Sequence, residues 1–429
     1  MEDDMNTPIH DFLLRYANWD MLRCHMPGAK GIAYPYDITE IEGADSLYES
    51  SGIIAESERN AARLFGAEKT LFSCSGSTLA IQTMIALAKA KTGKNRIAAS
   101  RYAHKSLVSA AITLGMDIDW IYPEEYLSAE ISPGAVEKAV TRDTTAVFLN
   151  SIDYYGGMCD IRAVSAVCKA HNIPLLADNA HGAYLVFTDN HPIKNGADMT
   201  ADSAHKTLPC ITGGAYLHIV NRDFAMRSKE IMALYGTSSP SYLILDSLDL
   251  CNRHIAEERA KAERAFNAVS ALKEKLLAKG FSLKKSDLMR VTVNACEMGM
   301  SGFELAEKLR EKNVECEMSD HNCVIFLFST ITEEKDTERL FDALTSVPQR
   351  KPAALFEVHV LAPKKAMPPR EAFFRNVTLT PVSEAVGKIC GGIYAPCPPC
   401  VPLVMPGEII DGQCAEVLRR YGCEYIETV

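Results

Sequence analysis

From about residue 60 onward the chain alternates short apolar runs with longer stretches whose apolar positions recur at helical spacing. The runs Thr70–Cys74, Arg96–Ser100, Asp117–Tyr122, Thr145–Asn150, Pro174–Asp178 and Gly214–Val220 predict strands. Between them Leu79–Lys91, Lys105–Leu114 and Ile161–Ala170 predict helices. This alternation predicts an α/β fold with a mostly parallel sheet covered by helices on both faces. Ligands of such sheets gather at the carboxyl ends of the strands, which is where Ser75, Asn150 and Asp178 fall.

The flanking patterns differ. Residues 1–50 read as an N-terminal arm, with a short helix over about 8–18 and a polar turn at Met26–Gly31. A long polar helix over about 255–279 leads into a second pattern: strand Met289–Ala295, helix Gly302–Lys312, strands Val314–Met318 and Cys323–Phe328, and helix Glu333–Leu344. Lys and Pro breakers in 349–367 mark a further joint. The prolines of Tyr394–Pro402 and Met405–Glu408 preclude a helix and suggest a rigid loop. The expected plan is an arm (1–50), a large domain (51–255), a small α/β domain (256–348) and a C-terminal segment (349–429) packing near the functional site.

Composition narrows the function classes. With 429 residues the chain exceeds one comfortable core, and its 47% hydrophobic content describes a globular protein. A formal net charge of −10 argues against nucleic-acid or anionic-membrane binding and suits a cationic substrate. The acidic start Met1-Glu-Asp-Asp lacks the pattern of a signal peptide, and no segment approaches the ~20 apolar residues of a membrane span. The 14 cysteines form no paired framework. Cys397-Pro-Pro-Cys400 has no second pair to complete a zinc site, so no metal is expected. Reduced thiols in a cytoplasm follow.

Candidate chemistry centres on Lys206, in Ser203-Ala-His205-Lys206-Thr-Leu-Pro, behind the strand-like Leu175-Leu-Ala-Asp178-Asn-Ala-His181-Gly. A lysine flanked by Ser, His and Thr, with an acidic residue ending a buried strand upstream, suits pyridoxal phosphate (PLP) chemistry. The lysine carries the cofactor aldehyde as a Schiff base, and the aspartate keeps the pyridine nitrogen protonated. Ser75-Gly76-Ser77-Thr78, between a strand and a helix, suits a phosphate, although a plain helix N-cap explains it equally. His104, just after the second strand, has the place of a residue lying on the cofactor ring; a structural histidine at a helix start is the commoner reading. Asp153 and Tyr154 end another strand and are candidates for cofactor or substrate contact. His181 and His205 could orient a substrate carboxylate or move a proton near neutral pH, and their spacing suggests no zinc.

Together these segments resemble the Orn/Lys/Arg decarboxylase family of fold-type I PLP enzymes. The likeness runs through Arg23-Cys-His-Met-Pro-Gly28, Asp37-Ile-Thr-Glu40, Leu64-Phe-Gly-Ala67, Ser75–Thr78, His104-Lys-Ser106, Tyr154-Tyr-Gly156, Asp178–Gly182, Ser203–Pro209, Thr237–Tyr242, Pro369–Phe373 and Pro406-Gly-Glu408. It implies a transferase-like large domain with smaller C-terminal α/β parts, in the short bacterial form without an N-terminal wing domain. It implies Lys206 as the Schiff-base residue, Asp178 as the pyridine-nitrogen partner and His104 stacked on the ring. Ser75, Gly76, Ser77, Ser203 and His205 would lie around the phosphate. Glu408 resembles the carboxylate near the distal amine of the substrate. A homodimer is implied, with Thr237–Ser239 and Arg23–Lys30 as cross-subunit candidates.

Three positions depart from the family pattern: Ala29 replaces a histidine, Asn179 a glutamate, and Cys400 a glycine. All three lie where substrate is selected. The expected activity is decarboxylation of arginine, lysine or ornithine to an amine and carbon dioxide. An aminotransferase, a β-eliminating lyase and a degenerate PLP-binding homologue are the alternatives.

Overall fold

The computed structural model describes residues 5–125, 127–357, 360–396 and 401–429. Cys397 and Cys400, and with them the CxxC pair and one of the three family departures, lie outside the described residues. Contacts divide the chain into two compact units, one of residues 1–91, 176–267 and 329–333, the other of 92–175, 268–328 and 334–429.

The seven strands of the main sheet are β1 (Lys69–Ser73), β2 (Arg96–Ser100), β3 (Asp117–Ile121), β4 (Thr144–Asn150), β5 (Leu175–Asp178), β6 (Met199–Asp202) and β7 (Ala215–Ile219). Their order is β1-β7-β6-β5 in the first unit and β4-β2-β3 in the second. The pairs β2–β3, β2–β4 and β5–β6 are parallel, whereas β7 runs antiparallel to both β1 and β6. The expected α/β fold with a mostly parallel sheet is present. Every residue of β4 is buried, and its central run Ala146-Val-Phe-Leu149 is apolar on both faces, as a strand covered on both faces demands.

All six strands expected in the main sheet are matched within one residue at each end, and β6 is an addition. Its sequence, Met199-Thr-Ala-Asp202, is short and half polar, so no apolar run marks it. Helices start where side chains can satisfy free N–H groups: Asp160 accepts from Ala163 N ahead of Ile161–Ala170, and His104 accepts from Ser106 N ahead of Lys105–Leu114. In the first unit, helix Pro8–Asn18 of the arm is held at its start by Asp249, whose Oδ2 accepts from Ile9 N (2.9 Å) and His10 N (3.1 Å). The long polar helix is two helices, Tyr242–Glu257 and Arg259–Ala278, broken at Glu258, where φ −109° and ψ 29° leave helical geometry. The polar pattern continues through the break, so it left no mark in the sequence.

In the second unit a small antiparallel sheet has the order β10-β11-β9-β8, formed by β8 (Leu283–Lys284), β9 (Arg290–Asn294), β10 (Met318–Ser319) and β11 (Cys323–Leu327). Its core joins Val291, Val293, Val324 and Phe326 to Leu305, Leu309 and Leu340 from helices Gly302–Arg310 and Glu334–Thr345. The strand expected at Val314–Met318 overlaps the observed β10 only at Met318, and Glu315 pairs with Arg310. The C-terminal part adds β12 (Thr378–Pro381), β13 (Tyr425–Thr428) and helix Gly412–Arg420 around Val382, Leu403, Ile410, Leu418 and Ile426. Among the described residues no helix is long and apolar enough to cross a membrane.

Candidate active site

The first unit holds Ser75, Gly76, Ser77, Thr78, Asp178, His181, Ser203, His205 and Lys206, whereas His104, Asp153, Tyr154 and Glu408 belong to the second. The first group is built at strand ends, and in the second His104 and Asp153 follow β2 and β4.

Asp178 closes β5, buried to 4% exposure. Its Oδ1 accepts from Ala180 N at 3.1 Å. Burial pushes its carboxyl up to about 6, against the lowering influence of the Ala180 hydrogen bond and of Lys206. Lys206 stands on the one-turn helix Ala204–Thr207 directly after β6, the neighbour of β5, and its Nζ lies 3.0 Å from His181 Nε2. Parallel pairing of β5 with β6 is thus what brings two residues 28 positions apart in sequence to one end of the sheet.

Ser203 Oγ donates to Ser77 Oγ at 2.9 Å, joining the end of β6 to the start of helix Gly76–Thr92. Thr78 lies in the first turn of that helix. Ser75 N donates to Ser73 Oγ (3.1 Å) and Gly76 N to Gly213 O (2.8 Å). Gly76 has φ +65°, a left-handed conformation that favours glycine, and nothing lies within 4 Å of where a Cβ would stand. His205 Nδ1 donates to Gly214 O at 2.9 Å, which leaves Nε2 with the lone pair. Burial lowers the His205 pKa, so the ring is neutral at neutral pH.

These residues fit PLP. A buried carboxylate, a lysine and a histidine gather at one end of the sheet. Two hydroxyls, an open glycine turn and the first turn of a 17-residue helix supply the donors a phosphate needs.

In the second unit His104 is the N-cap of its helix; Nδ1 accepts from Ser106 N (3.2 Å), so the neutral ring carries its proton on Nε2. The Asp153 carboxylate is taken up by its own turn and the loop at Ala129, accepting from Tyr155 N (2.8 Å), Gly157 N (2.9 Å) and Ala129 N (3.0 Å). Tyr154 N donates to the Tyr102 hydroxyl at 2.7 Å. Glu408 is 3% exposed, and its two oxygens accept from Arg101 (2.5 and 2.9 Å), Trp120 Nε1 (2.9 Å) and Met405 N (2.8 Å). Burial opposes the Arg101 charge, but Glu408 beside it more than offsets this and raises the pKa. A substrate cation would meet Glu408 only by displacing Arg101.

Sequence reasoning missed Arg101 and a buried cluster of Asp202, His191 and His218. The only signal for Asp202 was its place directly before Ser203, at the end of a strand that was itself missed.

The chain matches the family description "Orn/Lys/Arg decarboxylase, major domain" over residues 29–296 and "Orn/Lys/Arg decarboxylase, C-terminal domain" over 350–422. It is 29% identical to an arginine decarboxylase of Bacillus subtilis (strain 168), covering 94% of this chain and 91% of that protein. Identity to an arginine decarboxylase of Halalkalibacterium halodurans is 28%, over 96% and 92% of the two chains. The fold is similar to that of the lysine decarboxylase of Francisella novicida, with a TM-score of 0.81 at 15% identity, over 99% of this chain and 81% of that one. With the major-domain match alone spanning more than half of the residues, and Asp178, His104 and Lys206 all inside it, the chain belongs to the Orn/Lys/Arg decarboxylase family.

Proposed function

We propose that this protein is a PLP-dependent decarboxylase that converts arginine, lysine or ornithine to the corresponding amine and carbon dioxide. The observation that carries the reading is the meeting of Asp178 and Lys206 at the ends of adjacent parallel strands, beside the Ser203–Ser77 contact. Family membership and arginine decarboxylase relatives support the same reaction.

When bound, the cofactor supplies an electron sink for the pair released as the α-carboxylate departs. Lys206 is the residue that would carry it covalently. Ser75, Gly76, Ser77, Thr78 and Ser203 would hold its phosphate through hydroxyls and first-turn N–H groups. Asp178, ionised above about pH 6, would keep a proton on the ring nitrogen. His104 would press on the ring face. Neutral His205 accepts rather than gives a proton at neutral pH, which leaves Lys206 as the acid for the α-carbon, with His181 at 3.0 Å as its proton partner. Glu408, Asp153 and Tyr154 remain the substrate-side candidates. Of these Glu408 would act through Arg101, and Asp153 through the shape of its turn.

The proposal extends to organisation: a cytoplasmic homodimer, with the arm (1–50), large domain (51–255), small domain (256–348) and C-terminal segment (349–429) as functional parts. Exposure of Thr237–Ser239 and of most of the arm around Arg23–Lys30 supports a cross-subunit contribution. The test is to incubate PLP-loaded protein separately with arginine, lysine and ornithine and to quantify carbon dioxide, amine and keto acid. Amine and carbon dioxide in equal amounts from one substrate are expected. A keto acid would assign an aminotransferase, and no product from any of the three would overturn the reading.

A further inference from the structure

Asp178 and Asn179 are consecutive, and at a strand end consecutive side chains point to opposite faces. Asp178 pairs with Ala201 across β5 and β6, so Asn179 shares its face with the next residue of β6, Asp202. There Asn179 Nδ2 donates to Asp202 Oδ2 at 2.8 Å. His191 Nδ1 accepts from Ile193 N, so its Nε2 carries the proton, and Nε2 donates to the same Asp202 oxygen at 2.8 Å. Asn179 Oδ1 packs over Gly182, where a Cβ would stand only 2.1 Å from it, and the Asn179 backbone is tied by N to Ala201 O (3.0 Å) and by O to Gly182 N (2.8 Å).

We infer that Asn179 is a positioning residue for Asp178: its amide, clamped between Asp202 and Gly182 on the far face of the sheet, fixes the strand end that aims the Asp178 carboxylate, and does so without adding a charge. The inference rests on the proposed role of Asp178 opposite the cofactor ring.

The surroundings make the neutral amide matter. Asp202, Asn179 and His191 are all buried to 1% exposure or less. Burial pushes the Asp202 carboxyl up, but His191, His218 and the Asn179 amide outweigh it and hold the acid ionised. The other groups facing Asp202 come from β7: His218, whose Nε2 stands 4.0 Å from Asp202 and whose pKa burial depresses to about 3, and Tyr216, whose hydroxyl burial raises far above its usual range. Thr70 of β1 meets His218 Nδ1 at 2.8 Å. On the opposite face Asp202 raises the Asp178 pKa and Lys206 lowers it. His191, Asp202 and His218 offer ligand atoms within 4.8 Å of one another, as a metal site does, but here the His191 Nε2 proton is engaged with an Asp202 oxygen. Ligands about 2 Å from a tetrahedral zinc stand roughly 3.3 Å apart, whereas His191 and Asp202 touch at 2.8 Å.

Replacing the amide by a carboxyl of the same shape tests the clamp. In Asn179→Asp two buried carboxylates would meet at the Asp202 contact and share one proton, because both cannot ionise. The shared carboxyl then has a raised pKa in the fold, so the contact survives at acidic pH and fails as pH rises. Melting of the cofactor-free protein is therefore expected to show a deficit against wild type that is small near pH 5 and widens toward pH 8. A pH-independent deficit would overturn the clamp.

The positioning of Asp178 has its own readout, in Asn179→Ala loaded with PLP labelled with 15N in the ring. The ring-nitrogen resonance is expected to move from the protonated toward the unprotonated position, and kcat to fall about tenfold to a hundredfold with KM held. An unchanged resonance in a folded, loaded variant would overturn the inference. Failure of the wild-type protein to bind the labelled cofactor would instead overturn the functional reading, and the melting comparison would still judge the clamp. Should Asn179→Asp fail to fold at any pH, melting of Asn179→Ala decides. A deficit that stays level with pH supports the clamp, and no deficit refutes it.

Discussion

Asp178 carries two opposed consequences of burial. Its carboxyl is pushed up to about 6, so in the folded chain without cofactor the ionised form is held at a cost. A raised carboxyl contributes stability below its folded pKa and loses it as pH rises through that value. Asp178→Asn is therefore expected to melt higher than wild type above pH 6, by the equivalent of up to about 3 kcal/mol, with the gap closing toward pH 4. The same variant should lose nearly all decarboxylation, since a neutral amide cannot hold the ring nitrogen protonated. Melts of the cofactor-free protein across this range and kcat of the loaded protein check both halves. The position is a place where stability is given up for a charge at the site. Gly76 is simpler: alanine at φ +65° costs about 1 kcal/mol in backbone strain, with no clash, and its effect should appear in cofactor affinity because the turn sits in the proposed phosphate cradle.

Strand ends were the legible part of this sequence, and partners across long stretches of chain were the illegible part. Lys206 and Asp178 could be read because each sits in a compact motif directly beside a strand. Glu408 was read as a substrate carboxylate because its Pro-Gly-Glu setting is equally compact, yet its acceptor capacity is shared among Met405, Trp120 and, 307 residues away, Arg101. No local pattern announces such a pair. The same limit hid Asp202, whose significance depends on His191 and His218 brought to it by a loop and by the antiparallel strand β7. Glu408→Gln separates the two roles. Breaking one side of a buried ion pair costs about 3–5 kcal/mol, so a lower melting temperature is expected. If Glu408 only anchors the C-terminal part through Arg101, KM for the basic amino acid stays near wild type, whereas a direct substrate contact would raise KM sharply.

At the scale of the whole chain, the arm exposes more apolar surface than a free segment should. Leu22 is 90% and Ile32 92% exposed, and Trp19, Met26 and Tyr34 are each more than half exposed. Several exposed apolar side chains within one short segment suit an interaction site, and a second copy of the chain is the occupant the dimer proposal requires. Sedimentation of wild type should give a dimer, and the double substitution Leu22→Lys with Ile32→Lys should shift it toward monomer with reduced activity; an unchanged sedimentation profile would remove the arm from the interface. Everything in the account nonetheless turns on one lysine. The most direct measurement is to reduce the PLP-loaded protein with borohydride, digest it and map the modified peptide by mass spectrometry. Modification confined to Lys206 is the expected result. Modification at another lysine, such as Lys105 beside His104 or Lys30 in the arm, or none at all, would contradict the account.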